Sequence, residues 1–481
     1  MKQNKAALMV RHRHDGRDPP YRRRRQMTTT PRTERYGAGS PATEQESVDA
    51  VDTTEARHRG SALGRRAGWG FADQALSSVT NFGLSIFVAA TVSAEQFGTF
   101  TLVFAAYSAV LGVSAGMTSV PLTVRFSAAV GDRLARAERA SLGAALGIGL
   151  LGSVGFYVAA VIIGGSSAGA LVAMGVVLPG LLTQDTWRYV FMTRGRPILA
   201  AANDGCWALF QILGLGSLIL FARVSLPSLL LVWGGAATGA AVVGIFQAGA
   251  GPALRLGPRW LKTQWDLAAR YAIETAAIRV GPFLIAAAVS VVAGVRTVGA
   301  LRGAALLVAT LPNLLFTGIG FVAVPEGVRL IASHPLKLPR VVRMVSAGAG
   351  AATVLWCAIA IGGSFLFGRY LLGATWPLAR PLLLVTGISV ICTGFGLGPA
   401  VGLWILADAR RSVRVRVVSA VLAFSAVPAA AADGAWGATL AGAITAALSA
   451  VLWWWQFLRR QRIGPRRVED EQSSLGASRY L

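Results

Sequence analysis

The chain has 481 residues, 54% of them hydrophobic and only 14% charged, with a mean hydropathy of +0.55 and a formal net charge of +24. That balance excludes an ordinary soluble domain and points to a chain that crosses a membrane many times. Its three cysteines, Cys206, Cys357 and Cys392, lie in apolar stretches, which excludes a disulfide framework and a cysteine metal site.

In chain order, residues 1–68 come first: polar, rich in Arg, Ser, Thr and Pro, with the run Arg22–Arg25 and no apolar periodicity. They read as a disordered basic tail able to contact anionic lipid headgroups. The short AALMV stretch does not amount to a signal-peptide core. A bilayer core of about 30 Å needs roughly 20 apolar residues per helix. Runs of that kind predict spans near 71–92, 99–122, 142–164, 168–190, 198–222 and 227–249. A segment at 250–267, AGPALRLGPRWLKTQWDL, reads as a linker along the membrane surface. Six more spans are predicted near 270–294, 299–324, 344–367, 377–404, 413–431 and 434–457, followed by a polar tail at 461–481. The runs are continuously apolar rather than alternating, so the spans are helices. The expectation is an all-α polytopic membrane protein of about twelve helices: one six-helix lobe over 69–249, a second over 268–460, and a cleft between them.

Charge placement orients these spans. Arg133, Arg136 and Arg139 follow the second span, Arg194 and Arg196 the fourth, Arg255, Arg259 and Lys262 the sixth. The second half repeats this with Lys337, Arg340 and Arg343, then Arg410, Arg411, Arg414 and Arg416, then Arg459, Arg460 and Arg462. The alternate loops are poor in positive charge, so both termini are expected in the cytoplasm. Loop asymmetry of this kind also argues against nucleic acid as the partner of the basic charge.

The hexapeptide V-P-x-x-V-R occurs twice, as 120–125 (VPLTVR) and 324–329 (VPEGVR), each time closing the second helix of a set of six. FADQA (71–75) corresponds to YAIET (271–275), a Gly98 turn to Gly299, and MTRGRP (192–197) to LADARR (406–411). An even number of spans per half makes these parallel repeats about an axis along the membrane normal. Pro121 and Pro325 are expected to kink or end their helices. Arg125 and Arg329 suit the helix C-terminus and can reach lipid phosphates at the interface.

Polar residues at helical spacing mark the cleft. Asp73, Gln74, Ser77, Ser78, Asn81 and Ser85 form one stripe on the first span. Glu274, Thr275 and Arg279 share a face of the seventh; Thr310, Asn313 and Thr317 line one side of the eighth. From these, Asp73, Gln74, Ser78, Asn81, Glu274, Arg279 and Asn313 are the candidate cavity residues. Asp185 and Arg188 are spaced to form an internal salt bridge. There is no G-x-x-x-x-G-K-[ST] loop, no G-x-S-x-G elbow and no acidic or histidine cluster, so no catalytic residue, cofactor or metal is expected. The Gly-rich GFGLGPAVG (394–402) reads as a close-packing surface, and Trp453–Trp455 as an interface belt.

The first hairpin, FADQALSSVTNFGLSIFVAATVSAEQFGTFTLVFAAYS (71–108), resembles the opening of polysaccharide transporters. These are the O-antigen and teichoic-acid flippases of the multidrug/oligosaccharidyl-lipid/polysaccharide exporter (MOP) superfamily. Ser93, Glu95, Phe97, Gly98 and Phe100 match that family's S-x-E-x-[FY]-G-x-[FY] turn, with Ala94 where proline is usual. The resemblance implies a non-enzymatic flippase for a lipid-linked oligosaccharide in the cytoplasmic membrane, its polyprenyl tail staying in lipid. Arg279 would attract the pyrophosphate, and Asp73 or Glu274 would couple turnover to a proton or cation gradient. Two alternatives stay open: a cation-coupled drug antiporter of the same superfamily, and a non-transporting scaffold for glycan-assembly membrane proteins.

Overall fold

The computed structural model describes residues 79–477, and among them every regular element is helical. The basic tail 1–68 and the candidates Asp73, Gln74 and Ser78 lie outside the described residues. The first half comprises α1 (Val79–Thr91), α2 (Ala94–Met117), α3 (Ser119–Phe126), α4 (Gly131–Ile163), α5 (Ala168–Thr193), α6 (Pro197–Leu220) and α7 (Leu226–Ala248). A short α8 (Gly257–Thr263) leads into the second half. There follow α9 (Trp265–Ala293), α10 (Val295–Ser333), α11 (Leu338–Leu372), α12 (Trp376–Ala379), α13 (Leu383–Ile405), α14 (Ala409–Ala430) and α15 (Gly434–Ala477). Two of the long apolar stretches hold more than one helix: Leu338–Ile405 holds α11, α12 and α13, and Ala409–Gln461 holds α14 and the start of α15, with breaks at Gly373 and Gly434. Both glycines take positive φ, +48° and +77°, a region that suits a residue without Cβ. α15 runs on through the predicted polar tail to Ala477.

The first lobe packs α4, α5, α6 and α7 together around Trp187, Trp233, Met174 and Leu178, all fully buried. The second packs α11, α13, α14 and α15, with Val342, Val401 and Phe457 in its core. Between them, α2 lies against α9 and α10. Gly98 and Gly299 make this close approach possible. A Cβ added at Gly299 would meet Ala94 O at 2.6 Å and Gly98 Cα at 3.3 Å, so the N-terminal turns of α2 and α10 touch backbone to backbone.

Two expectations need correction. The Ser93–Phe100 segment is not a turn but the start of α2. Ser93 caps it, its hydroxyl accepting from Gln96 N (3.2 Å) while Ser93 N donates to Gln96 Oε1 (3.3 Å). The two V-P-x-x-V-R copies also behave differently. Pro121 cannot donate to the carbonyl four residues back, and the helix breaks at Thr118; the freed Met117 carbonyl accepts instead from Trp260 Nε1 at 3.2 Å. α10 runs through position 325 to Ser333, so the second copy does not end its helix. The linker at 250–267 is packed on protein. Ala253 N donates to Arg139 O (2.9 Å), Gly257 abuts Gly143, and Trp260 is buried against Phe126. Gly143 and Gly257 leave room for the strand of linker to sit on α4.

Candidate functional site

A polar chamber of about 390 Å³ opens between the halves. Helical spacing brings its wall together from four elements. α1 contributes Asn81, Phe82 and Ser85; α2 contributes Phe104, Tyr107, Ser108 and Leu111. α9 contributes Arg279, and α10 contributes Arg302, Leu306, Thr310, Asn313, Leu314 and Thr317. The α10 residues recur every three or four positions, so they form one continuous stripe.

Arg279 owes its position to two features of sequence. Pro282 lacks the N–H that would bond the carbonyl of residue 278, and α9 bends by 44° between its 265–275 and 279–293 segments. Arg279 is the first residue beyond the bend. Opposite it stands Gly112 of α2, where an added Cβ would come within 2.7 Å of Arg279 Cδ. One turn earlier on α9, Thr275 Oγ1 donates to Gly112 O at 2.7 Å and locks the two helices in register.

Hydrogen-bonding capacity in the chamber is uneven. The hydroxyls of Ser85, Thr310 and Thr317 each donate to the carbonyl four residues back, at 2.9 Å, leaving only acceptor lone pairs toward the chamber. The donors are therefore Arg279, Arg302, the Asn81 and Asn313 amides and the Tyr107 and Ser108 hydroxyls. Among the described residues, neither arginine has a hydrogen bond or ion pair to another side chain, and no carboxylate lines the chamber. The result is a cationic, donor-rich site walled on one side by the rings of Phe82, Phe104 and Tyr107.

Of the described candidates, Asn81, Arg279 and Asn313 line this chamber. Glu274 does not: it is exposed next to Thr275, whose face is taken up by α2. Arg302 was not singled out from the sequence, although its spacing from Leu306, Thr310, Asn313 and Thr317 (four, four, three, four) puts it on the stripe already recognised. Arg125 is engaged within the protein, donating to Gln264 Oε1 at 2.7 Å and to Asp266 Oδ2 at 2.5 Å. Arg329 pairs with Glu326 at 2.7 Å, and both side chains are exposed. Asp185 lies 3.9 Å from Arg188, which also bridges to the buried Asp204 of α6. Gln184 Nε2 donates to the other Asp204 oxygen at 2.7 Å. Neither acid lines the chamber, although Asp185 acts electrostatically on Arg279 and Tyr107 of its wall. Among the described residues no group of His, Cys, Asp and Glu has the arrangement of a metal site.

No family model matches the sequence, and no curated protein matches it either. Solved structures do. An inward-facing multidrug resistance MATE transporter of the MOP superfamily aligns with a TM-score of 0.63 at 12% identity, covering 81% of this chain and 95% of that one. The lipid II flippase MurJ, in an inward closed conformation, aligns at 0.61 and 11% identity, covering 80% and 88%. A MOP-superfamily transporter from Pyrococcus furiosus, described as having a binding pocket of reverse polarity, aligns at 0.54 and 11%, covering 83% and 95%. The chain thus shares the all-α fold of these solved membrane transporters.

Proposed function

We propose that the protein is a transporter of the cytoplasmic membrane that turns an anionic lipid-linked oligosaccharide from one leaflet to the other. The observation that carries this reading is the chamber itself: two arginines that make no salt bridge among the described residues, set among amides and aromatic rings, with no carboxylate among its described lining residues and with Asp185 acting on Arg279 only from beyond salt-bridge distance. Intramembrane charge without a partner is costly and is retained where it meets a ligand or water. Guanidinium groups suit phosphate oxygens, and flat rings beside amides suit a sugar. The fold shared with a lipid II flippase supports the same reading. The headgroup would occupy the chamber while alternating access exposes it first to one side and then to the other.

A drug/cation antiporter, the reading favoured by the MATE neighbours, needs acids facing its cargo. Asp185 and Asp204 share Arg188 inside the first lobe instead. Reconstitution decides between these readings. Vesicles carrying the protein should turn over a polyprenyl-pyrophosphate glycan, read as capture by an external lectin. Arg279→Ala and Arg302→Ala should each slow this at least tenfold at unchanged protein level. Extrusion of a lipophilic cation with no glycan turnover would support the antiporter, and inactivity toward both would support the scaffold.

A further inference from the structure

The two chamber arginines also border a second cavity. A largely apolar space of about 750 Å³ lies on the far side of Arg279 and Arg302, among Phe283, Ile285, Val289, Leu301, Ala305 and Val427. Phe104 and Ser108 of α2 line both spaces. The arginines therefore stand at a waist: hydroxyls and amides on one side, hydrocarbon on the other. Its volume is within the roughly 300–1,000 Å³ of ligand pockets in general.

We infer that this second cavity is a subsite for the hydrocarbon chain next to the substrate phosphate. Resting on the flippase reading, this changes where the lipid goes: its first segment enters a cavity between α2 and the helices α9 and α10 instead of remaining wholly in the bilayer. A charged phosphate held at both arginines needs a sugar on one side and an alkyl or isoprenoid chain on the other, and the waist offers those two environments in that order. Apolar packing gains little over lipid tails, so the cavity does not draw the chain out of the membrane by hydrophobicity. Its role is to let the phosphate reach the arginines with its lipid attached. A rival groove exists on α10 and α11, about 600 Å³, formed by Leu311, Leu315, Gly318, Ile319, Ala352 and Trp356. It shares only Leu314 with the polar chamber, holds no arginine, and begins nine residues past Arg302, about 13 Å at 1.5 Å per residue.

The test uses the purified full-length protein in amphipol, titrated with farnesyl phosphate and with methyl phosphate, which present the same headgroup. Farnesyl phosphate should bind at least tenfold tighter. Ala305→Phe and Ala286→Phe, which fill the apolar cavity, should each weaken farnesyl phosphate tenfold or more and leave methyl phosphate within twofold. Arg279→Ala should weaken both ligands. If cavity filling leaves farnesyl phosphate unchanged while Arg279→Ala weakens it, the hydrocarbon lies elsewhere: this inference fails and the flippase reading stands. If Arg279→Ala and Arg302→Ala change neither ligand, the flippase reading falls first. Should the filled variants not fold, a photoreactive benzophenone ester of geranyl phosphate on the wild-type chain gives the answer. Labelling within 283–305 supports the subsite, and labelling confined to 311–319 and 352–356 overturns it.

Discussion

The stem of Arg279 rests on Gly112 across the boundary between the two halves: a Cβ at position 112 would lie 2.7 Å from Arg279 Cδ and 3.2 Å from its Cβ. Gly112→Ala should therefore push the guanidinium off its place without removing its charge. Misplacing a binding group by about 1 Å can lower rates on the order of 100-fold. Turnover of the anionic substrate should fall steeply in Gly112→Ala, while Gly83→Ala, with nothing within 4 Å of the new methyl, should behave as wild type. Equal activity in the two variants would mean that Arg279 does not need its present position.

Periodic hydrophobicity made the helices legible, because a bilayer demands long apolar runs whatever they pack against. The polar stripe of α10 could be read for the same reason: Thr310, Asn313 and Thr317 recur at helical spacing. Arg302 escaped because it stands alone among Gly, Ala and Leu in LRGAALL, where a single charge gives no pattern of its own. The aromatic wall escaped too, since Phe104 and Tyr107 are apolar enough to pass for lipid-facing residues. Sequence spacing also could not show that Thr275 faces α2, which is what leaves Glu274 out of the chamber. Nor could it show that the two proline motifs differ. Only the docked linker, with Trp260 at Met117, distinguishes the first copy from the second.

The chamber wall can be mapped by thiol chemistry. In a background without Cys206, Cys357 and Cys392, cysteines at Asn81, Asn313 and Thr317 should react with a small membrane-impermeant reagent. Cysteines at Leu84 and Val308, 1% and 0% exposed, should not. Added pyrophosphate should slow the reactive positions severalfold. Labelling that ignores pyrophosphate would argue against an anion site there.

Orientation is a separate question, answered by reporters. Fusions after 132, 195, 260, 335, 412 and 465 should report cytoplasm, and fusions near 95, 166 and 433 the exterior, following the arginine-rich loops. One inverted loop would break the parallel repeat.

At the basic end of the first lobe, Arg194 clasps Glu138 through both carboxylate oxygens, at 2.8 and 2.7 Å, and also donates to Ala248 O at 3.1 Å. Glu138 is only 2% exposed, so it depends on that partner. Arg194→Met leaves a buried carboxylate uncompensated, a loss of about 3–5 kcal/mol. Arg194→Met with Glu138→Leu should recover much of it, since paired apolar replacement of a buried ion pair is often neutral or better. Thermal unfolding of both variants in detergent would measure the difference. If the double variant is no more stable than the single one, the clasp does more than neutralise charge.

The second lobe carries a pH-sensitive counterpart at its basic end, between the spans. Burial alone would raise the Asp408 carboxyl, but hydrogen bonds from the Arg411 side chain and backbone N–H, and the nearby Arg460 at 3.3 Å, hold it below its ordinary value. A carboxyl whose folded pKa is depressed stabilises the fold above its unfolded pKa, and that contribution is lost as pH falls through the folded value. Here the loss belongs to the acid side of the ordinary carboxylate range, near 4 and below. Asp408 is also the N-cap of α14, its side chain accepting from Arg411 N at 3.2 Å. Asp408→Ala should therefore cost about 1 kcal/mol from the cap alone at neutral pH. Asp408→Asn keeps a capping oxygen but no charge, so it should be less stable than wild type at pH 7, with the gap closing as pH falls below the ordinary carboxylate range. Melting temperatures measured from pH 7 to pH 3 would show the gap narrowing. A constant gap between Asp408→Asn and wild type across that range would mean that the Asp408 charge contributes nothing to holding α14 and α15 together.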